Sequence, residues 1–305
     1  MALGSKALSP SFSRPPSQVA ITRAADYEAD LESILFETLR ELAPPVAGKR
    51  VLLKPNLVGI DTTRPLNTHT AVIRAAREAC LRLGAQSVLV GDGPALERDT
   101  EAVLESMNFR DHLGSLQGKF VDLNADEVHG VRMRTRASPL KELYLPQAVL
   151  QADFVISMPK LKTHHWAGVT LSLKNMFGIV PGNCYGWPKN ILHWAGITRA
   201  LLDINATVSP DFCIVDGIVG MEGDGPLQGT AKPCGALICG DDPVAVDATC
   251  SRVMSLHPER IEHLVRASYL LGHLKEANIQ QIGEAISAVR TPFQPPPSFP
   301  RISRA

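Results

Sequence analysis

The chain has 305 residues and equal numbers of acidic and basic side chains, 31 of each, so its formal net charge is zero. A neutral chain has no electrostatic attraction to nucleic acid or to an anionic membrane surface, and no apolar run approaches the roughly 20 residues that span a bilayer. Its hydrophobic content of 45% is typical of a folded domain. We therefore expect a cytoplasmic protein that binds neither nucleic acid nor membrane, and we leave a homo-oligomer open.

The six cysteines are scattered along the chain and form no C-x-x-C pair. Iron–sulfur clusters and zinc knuckles use closely spaced cysteines of that kind. We therefore expect no iron–sulfur cluster and mostly buried, reduced thiols, as in a cytosolic protein.

The two ends differ in composition from the centre. Residues 1–25 are rich in serine, proline and arginine and lack the apolar stretch of a secretory signal, which predicts a disordered tail. Residues 291–305 contain five prolines and are predicted to form an extended strap or a loose tail. The remaining residues, 26–290, are predicted to form one α/β catalytic domain, with two lobes as an alternative.

Helical and strand patterns alternate through this domain. In chain order we predict a helix over 26–42, a strand over 50–54, a helix from 67 or 68 to 84, a strand over 87–90, a helix over 100–107, strands over 120–123 and 131–135, and a short helix beginning at 146. There follow a buried strand over 154–158, a helix over 193–204, a strand over 212–215, a glycine-rich loop over 217–229, a strand over 235–239, and helices over 244–254 and 258–271. Strand–helix–strand units at this spacing predict an α/β fold with a largely parallel sheet flanked by helices.

Charged and polar side chains follow the ends of the predicted strands. These residues are Lys54, Asn56, Asp92, Lys160, Lys162, His164, Lys174 and Asn175. Ligands of open α/β sheets bind just beyond the carboxyl ends of the strands. We therefore expect these residues to surround one binding site.

The residue types suggest what such a site would bind. Arg64, which follows Thr63, offers a planar two-point fork that suits a carboxylate or a phosphate. Several lysines in one site would repel one another, and an anionic ligand or a lysine of lowered pKa would relieve that repulsion. His164 can exchange a proton near neutral pH. Asp216 and Glu222 could bind a divalent cation such as Mg²⁺ through oxygen, although Asp216 could equally cap the amides of its own loop.

Several short motifs occur in one order along the chain. They are KPNLV (54–58), DTTRP (61–65), GDGP (91–94), PKLKTH (159–164), LKNMFGIVPG (173–182), DGIVGMEGDGP (216–226) and DDPVAVDA (241–248). This series resembles the domain of unknown function 362 family. Some members of that family carry ferredoxin-type cysteine motifs, which this chain lacks, and the family label implies no reaction.

Two motifs are also similar to those of the nickel-pincer lactate racemases. DTTRP resembles their D-x-T-R-P loop, whose arginine side holds the substrate carboxylate, and residues 164–182 resemble their H-F-F-A-G…K-A-I-V-P-G segment. The resemblance implies racemase-like lobes, a proton-transfer role for His164, a covalent cofactor lysine at Lys174 and a nickel ligand at His193. It departs at GDGP (91–94), where the racemases carry a second proton-transfer histidine. It therefore supports the fold and the pocket more strongly than the reaction or the nickel-pincer nucleotide.

We interpret the chain as an enzyme that performs acid–base chemistry, of isomerase or lyase type, on a small anionic metabolite. Arg64, Lys54 and the lysine cluster would hold the anion, and His164 with Asp92 would move protons. Lys174 would stabilise an oxyanion or form a covalent adduct.

Two alternatives remain open. The chain could be a Mg²⁺-dependent enzyme acting on a diphosphate ester, with Asp216 and Glu222 as metal ligands and the lysines on the phosphates. It could also be a non-catalytic carrier or maturation partner for a metal or redox cofactor. An enzyme should hold His164 inside a closed polar pocket, whereas a carrier should expose its ligands beside a docking patch.

Overall fold

A computed structural model of the chain describes residues 14–114 and 119–303. Twelve strands lie in the described residues: β1 Ser17–Arg23, β2 Arg50–Pro55, β3 Ser87–Asp92, β4 Phe120–Asp122, β5 Val128–Val131, β6 Leu143–Pro146, β7 Phe154–Met158, β8 Lys160–His164, β9 Gly168–Thr170, β10 Phe212–Glu222, β11 Thr230–Gly240 and β12 Ile279–Gly283. Ten of them form one sheet, with the order β12-β1-β11-β10-β7-β2-β3-β4, with β8 joined to β10 and with β9 joined to β8. β5 and β6 form a separate antiparallel pair.

Helices cover both faces of the sheet. They are α1 Leu31–Leu42, α2 Thr70–Arg82, α3 Thr100–Ser106, α4 Phe109–Leu113, α5 Gln147–Gln151, α6 Ser172–Asn175, α7 Gly182–Tyr185, α8 Asn190–Trp194, α9 Ile197–Thr207, α10 Pro243–Val253, α11 Glu262–Ala267 and α12 Ile286–Val289. Short 3₁₀ turns occur at Met176–Ile179, Pro258–Arg260, Glu276–Asn278 and Pro300–Ile302. Within the described ranges, none of these helices is long and apolar enough to cross a bilayer.

The predicted α/β class with a largely parallel sheet is confirmed. The run β4, β3, β2, β7 and β10 pairs in parallel throughout. Val51 and Leu53 of β2 pack on the α1 and α2 side, whereas Leu52 packs with α9 on the other side. Strands buried on both faces read as continuous apolar runs, which is the pattern that the sequence shows. Because these strands are parallel, their carboxyl ends meet at one edge of the sheet.

The predicted disordered tail over residues 1–25 is wrong for its last third. Ser17–Arg23 forms β1, which pairs antiparallel with β11 and parallel with β12. Val19 and Ile21 are fully buried in the hydrophobic core. The alternating apolar residues of this short stretch are enough for a strand once two neighbours supply backbone partners. Residues 1–13 lie outside the described part of the chain.

The predicted glycine-rich loop after Asp216 is largely a strand. β10 continues to Glu222 and forms a long antiparallel hairpin with β11, with a register shift between Gly217 and Val219. The glycines are required here by close backbone approach. A Cβ at Gly217 would lie 2.7 Å from the carbonyl oxygen of Ala236, and one at Gly220 would lie 2.7 Å from that of Leu161.

Three smaller predictions are also corrected. The strand expected over 131–135 lies earlier, at β5, where it pairs with β6. The helix expected over 193–204 is divided into α8 and α9 at Gly196, whose φ of 92° is left-handed. The first helix begins at Leu31 rather than at residue 26, since the Asp30 side chain caps it by accepting from the Ser33 amide.

The proline-rich C-terminus is an ordered strap over the described residues up to 303. Phe293 donates its backbone N–H to the carbonyl of Met254, and its ring is buried in the core with Ile302. The Ser298 hydroxyl donates to the carbonyl oxygen of His165 at 2.5 Å, so the strap also contacts the segment that follows β8. The strap alternative is therefore correct, and the loose-tail alternative is wrong for this stretch.

This packing predicts a large loss of stability on truncating the strap's buried ring. Phe293→Ala should lower the free energy of unfolding by about 3–5 kcal/mol, the usual effect of removing a buried phenylalanine ring. Tyr269→Ala is the matched control, because that ring is 67% exposed. Urea unfolding of both variants makes the comparison, and a loss below about 1 kcal/mol for Phe293→Ala would contradict the packed strap.

Candidate functional site

A cavity of about 320 Å³ opens at the edge of the sheet where β2, β3 and β8 end. The structure brings eight of the predicted site residues to its walls: Lys54, Asn56, Asp92, Lys162, His164, Lys174, Asn175 and His193. They come from four separate parts of the chain. The parallel order of the strands brings Lys54, Asp92 and Lys162 to this edge of the sheet, whereas α6 supplies Lys174 and Asn175 and α8 supplies His193.

The floor of the cavity contains a buried ion pair. The Nζ of Lys54 lies 2.6 Å from Oδ1 of Asp92, and both side chains are 1% exposed. Burial lowers the pKa of Lys54, and the carboxylate of Asp92 opposes that shift. Asp92 also accepts from the backbone amides of Leu57 and Gly93, at 2.7 and 2.8 Å. Asp92 thus positions Lys54 through Oδ1 and the following loop through Oδ2, and its proton-transfer role stays a prediction.

Two other lysines reach the cavity without a carboxylate. Lys162 is fully buried and donates to the carbonyl oxygen of Leu66 at 2.7 Å. The Nζ of Lys174 lies 4.1 Å from the centre of the Phe177 ring and has no hydrogen-bond acceptor among the described residues. Burial and the nearby Lys54 lower the pKa of Lys174 to about 7. Lys174 is therefore poised to become a full cation when an anion enters the cavity.

His164 is held as a neutral hydrogen-bond donor. Its Nδ1 accepts from the backbone amides of Trp166 at 3.0 Å and Ala167 at 3.3 Å, so that nitrogen carries no proton. Burial and the cationic Lys174 lower the pKa of His164 well below its usual value. A neutral ring whose Nδ1 accepts must carry its proton on Nε2. The lone pair that a proton-transfer base needs is thus occupied, and the ring can donate from Nε2.

His193 and His165 are held in the opposite tautomer. Nδ1 of His193 lies 3.1 Å from the carbonyl oxygen of Lys189, and Nδ1 of His165 lies 2.9 Å from that of Gly225. A carbonyl oxygen can only accept, so each Nδ1 carries the proton and each Nε2 keeps its lone pair. Burial and Lys174 lower the pKa of His193 to about 4. The cavity therefore contains imidazoles that donate and imidazoles that accept.

Two buried oxygens that line the cavity have no hydrogen-bond partner in the part of the chain that the structure describes. They are Oδ1 of Asn56 and Oγ1 of Thr170. Buried polar atoms are normally satisfied, so a bound ligand or water is expected at these positions. Asn175 behaves differently, since its amide bridges Lys54 and Ser157 and is fully used in positioning them.

Sequence reasoning missed two residues that shape the cavity. The carboxylate of Asp247 accepts from the backbone amides of Ser172 at 2.7 Å and Leu173 at 3.0 Å, and so anchors α6, which carries Lys174. Lys189 is fully buried and donates to three carbonyl oxygens, including that of Gly93 at 2.8 Å. Both residues act on elements far away in sequence, so no local pattern indicates their role.

Three predicted substrate-binding residues lie at a second cavity of about 410 Å³ instead: Thr63, Arg64 and Lys160. Nη1 of Arg64 donates to the carbonyl of Leu227 at 2.7 Å and to the side chain of Gln228 at 2.9 Å. Arg64 therefore fastens the tip of the β10–β11 hairpin, whose Leu227 forms part of the first cavity's wall. We expected Arg64 to bind a substrate carboxylate in the same site as the lysines. Instead, its guanidinium holds the hairpin tip that forms part of the first cavity's wall.

The three predicted metal ligands do not come together. Asp216 pairs with Lys160 at 2.8 Å, and Glu222 lies 3.5 Å from Nζ of Lys232, whereas His193 lies in the first cavity. In the described part of the chain, no group of three or more histidine, cysteine, aspartate or glutamate side chains could hold a metal ion. Asp216 and Glu222 therefore do not form the Mg²⁺ site that the sequence predicted.

The chain's own groups fit part of what the racemase-like cofactor would need. Lys174 supplies an amine without a competing acceptor, and Nε2 of His193 supplies one nitrogen lone pair. Lys174 and His193 would hold the cofactor, and the bound cofactor would supply an electrophile to the substrate. The nickel-pincer nucleotide stays a prediction.

Comparison with known proteins identifies the family. The model of a domain of unknown function, DUF362, matches residues 51–252, so the chain belongs to this family, as its motifs predicted. A thylakoid-associated protein of Synechocystis is 31% identical over 257 residues, which cover 80% of this chain and 76% of that protein.

Two solved structures are similar at low sequence identity. The lactate racemase apoprotein of Thermoanaerobacterium thermosaccharolyticum gives a TM-score of 0.45 and 14% identity, over 72% of this chain and 54% of that one. A structural-genomics protein of Thermotoga maritima gives a TM-score of 0.39 and 12% identity, over 66% of this chain and 53% of that one. The chain thus spans about half the length of these two structures.

The buried ion pair yields a prediction about stability. Asp92→Asn leaves Lys54 buried without its carboxylate and should lower the free energy of unfolding by about 3–5 kcal/mol. Glu101→Gln is the control, because the Arg110–Glu101 pair is more than half exposed on both sides (56% and 61%) and should contribute at most about 1 kcal/mol. Equal losses in the two variants, measured by denaturant unfolding, would show that the buried pair does not support the floor.

Proposed function

We propose that the chain is an enzyme that removes a proton from the carbon beside the anionic group of a metabolite. In an isomerase reaction the proton is then returned to the metabolite, and in a lyase reaction a leaving group departs from the neighbouring carbon instead. The observation that carries this proposal is the pairing of opposite histidine tautomers around Lys174 in one cavity. A proton abstraction needs a base with a free lone pair, and the resulting charge needs donors that do not compete for the same proton. His193 and His164 meet these two needs separately.

The cationic floor supports binding of an anion. Among the described residues, no carboxylate pairs with Lys162 or Lys174, and Asp92 is the carboxylate that pairs with Lys54. An anionic group between them would relieve their mutual repulsion and would restore the pKa of Lys174 towards its usual range. The unpartnered oxygen of Thr170 could accept from a hydroxyl of the same ligand.

The histidines support the proton-transfer step. Nε2 of His193 would take a proton from the carbon beside the anionic group, since its lone pair is free. The negative charge that then develops on the ligand oxygen would be stabilised by the Nε2–H of His164 and the ammonium of Lys174. The low pKa of His193 would rise once the anion offsets Lys174, which makes the ring a better base in the complex. His165, with the same tautomer, is the second candidate base.

The alternatives are less well supported. Asp216 and Glu222 are paired with lysines, which removes the ligands proposed for a Mg²⁺–diphosphate enzyme. His164 is 5% exposed and lies within the cavity, as expected of an enzyme rather than of a carrier with exposed ligands. A cytoplasmic location and a homo-oligomer stay predictions, and the name of the Synechocystis relative suggests that association with a membrane system should be tested as well.

Hydrogen exchange at carbon tests the reaction directly. The protein is incubated in D₂O with a panel of short mono- and dicarboxylates, and loss of the proton beside the carboxylate is followed by NMR. His193→Asn should slow exchange by about 10²–10⁴-fold, because asparagine can still donate to the Lys189 carbonyl but has no ring lone pair. His164→Asn should slow it by about 10²–10³-fold, since asparagine can accept from the two amides but lacks the Nε2–H.

His129→Asn is the matched control, because that histidine is half exposed on β5 and lies away from the cavity. Its exchange rate should equal that of the unaltered protein. An unchanged rate in His193→Asn, or no exchange from any carboxylate that binds, would contradict the proposal.

The lowered pKa of Lys174 predicts how anion binding depends on pH. The amine is neutral above pH 7 in the free protein and must be charged to bind an anion. Affinity should therefore be full below pH 7 and should fall by about tenfold for each pH unit above it, with uptake of about one proton at pH 8. Calorimetry in buffers of different ionisation enthalpy measures that proton. Lys174→Met should remove the uptake, and a pH-independent affinity in the unaltered protein would show that Lys174 does not bind the anion.

A further inference from the structure

The lining of the cavity is partly charged and partly apolar. The ammonium groups and imidazoles described above form the charged part, which we call the floor. The apolar part, which we call the wall, consists of Val58, Leu96, Trp166, Pro188 and Leu227, and each of these side chains is partly exposed rather than buried in the core. Apolar surface left facing a cavity favours a ligand that can cover it.

The apolar surface continues out of the cavity at its rim. Eight large hydrophobic side chains are exposed in the described part of the chain, and three of them line the cavity or directly follow a residue that does: Leu96, Trp166 and Trp194. The ring of Trp166 is 53% exposed and packs edge-on against His193, with 4.7 Å between ring centres. Clustered exposure of this kind marks a binding surface, whereas single exposed residues do not.

The size of the cavity agrees with this division. Its volume of about 320 Å³ lies within the range of roughly 300–1,000 Å³ that is usual for pockets that bury a drug-sized ligand. A three-carbon acid would occupy the charged floor and leave the wall at Val58, Leu96 and Leu227 in contact with water.

We infer that the ligand is an amphipathic anion, with a carboxylate or phosphate head on the floor and an apolar body against the wall, leaving beneath Trp166. This inference rests on the proposed function, because it assigns the head to the same cationic floor, and it adds the chemical class of the remainder of the ligand. The body accounts for the apolar wall and rim, which the proton-transfer step itself does not require.

A homologous series of ligands tests the inference. Dissociation constants are measured by calorimetry for straight-chain carboxylates from acetate to decanoate, below their micellar concentrations, and for the matching alkyl phosphates. Each added methylene should tighten binding by about fourfold until the wall is covered, with one molecule bound per chain. The head group of the tighter series identifies the anion.

Three variants separate the wall from the floor. Leu96→Asn should reduce the gain per methylene, and Leu270→Asn, which changes a similarly exposed leucine outside the cavity, should preserve it. Lys174→Met should weaken every member of the series by the same factor and leave the gain per methylene unchanged.

The outcomes distinguish this inference from the proposed function. Binding that does not tighten with chain length, or that tightens equally in Leu96→Asn, overturns the amphipathic ligand and leaves the acid–base proposal standing. If no carboxylate and no alkyl phosphate of either series binds, the amphipathic ligand is likewise overturned. A normal gain per methylene with no effect of Lys174→Met supports the wall but contradicts the proposed role of the floor.

Discussion

The removal of several lysine ammonium groups from water is the constraint on which this site depends. A buried ammonium is unfavourable unless a partner compensates for the lost hydration. Lys54 has Asp92, Lys160 has Asp216, and Lys189 has three backbone carbonyls. Within the described ranges, Lys162 has one carbonyl, and the partly exposed Lys174 has an aromatic ring alone. The two lysines with the fewest partners, Lys162 and Lys174, both line the cavity, where an anionic ligand would compensate them.

The backbone around the cavity fixes the chemistry of the histidines. Two amides that follow His164 point at its Nδ1, whereas carbonyls face Nδ1 of His165 and His193. A donor and an acceptor of protons can therefore coexist in one small space without either ring becoming charged. Burial and the nearby Lys174 reinforce this arrangement, since both lower the pKa values of His164 and His193. An anionic ligand would weaken that effect at the moment when a base is needed.

Much of the site could be predicted because it follows from the order of the strands. Lys54, Asp92 and Lys162 lie at or near strand ends, and a parallel sheet brings such ends together whatever its detailed packing. Arg64 could not be placed in this way. Its guanidinium is taken by the tip of the β10–β11 hairpin, and the glycines of that hairpin read as a loop because their role, close backbone approach, depends on strands elsewhere in the chain.

The tautomers and the anchor of α6 were also beyond sequence reasoning. His164 was correctly placed in the cavity, but its role depends on which atoms of Trp166 and Ala167 meet its ring. Asp247 looks like an ordinary helical acid, yet it caps a different helix. Such contacts join residues through tertiary packing and leave no periodic signal.

The tautomeric states of His164 and His193 provide the most direct test of this account. Long-range ¹⁵N–¹H NMR of protein labelled at histidine, assigned with His164→Asn and His193→Asn, reports which ring nitrogen carries the proton. At pH 7 the account predicts two neutral rings, with the proton on Nε2 in His164 and on Nδ1 in His193. A proton on Nδ1 of His164, or a charged imidazolium at either position, would contradict it.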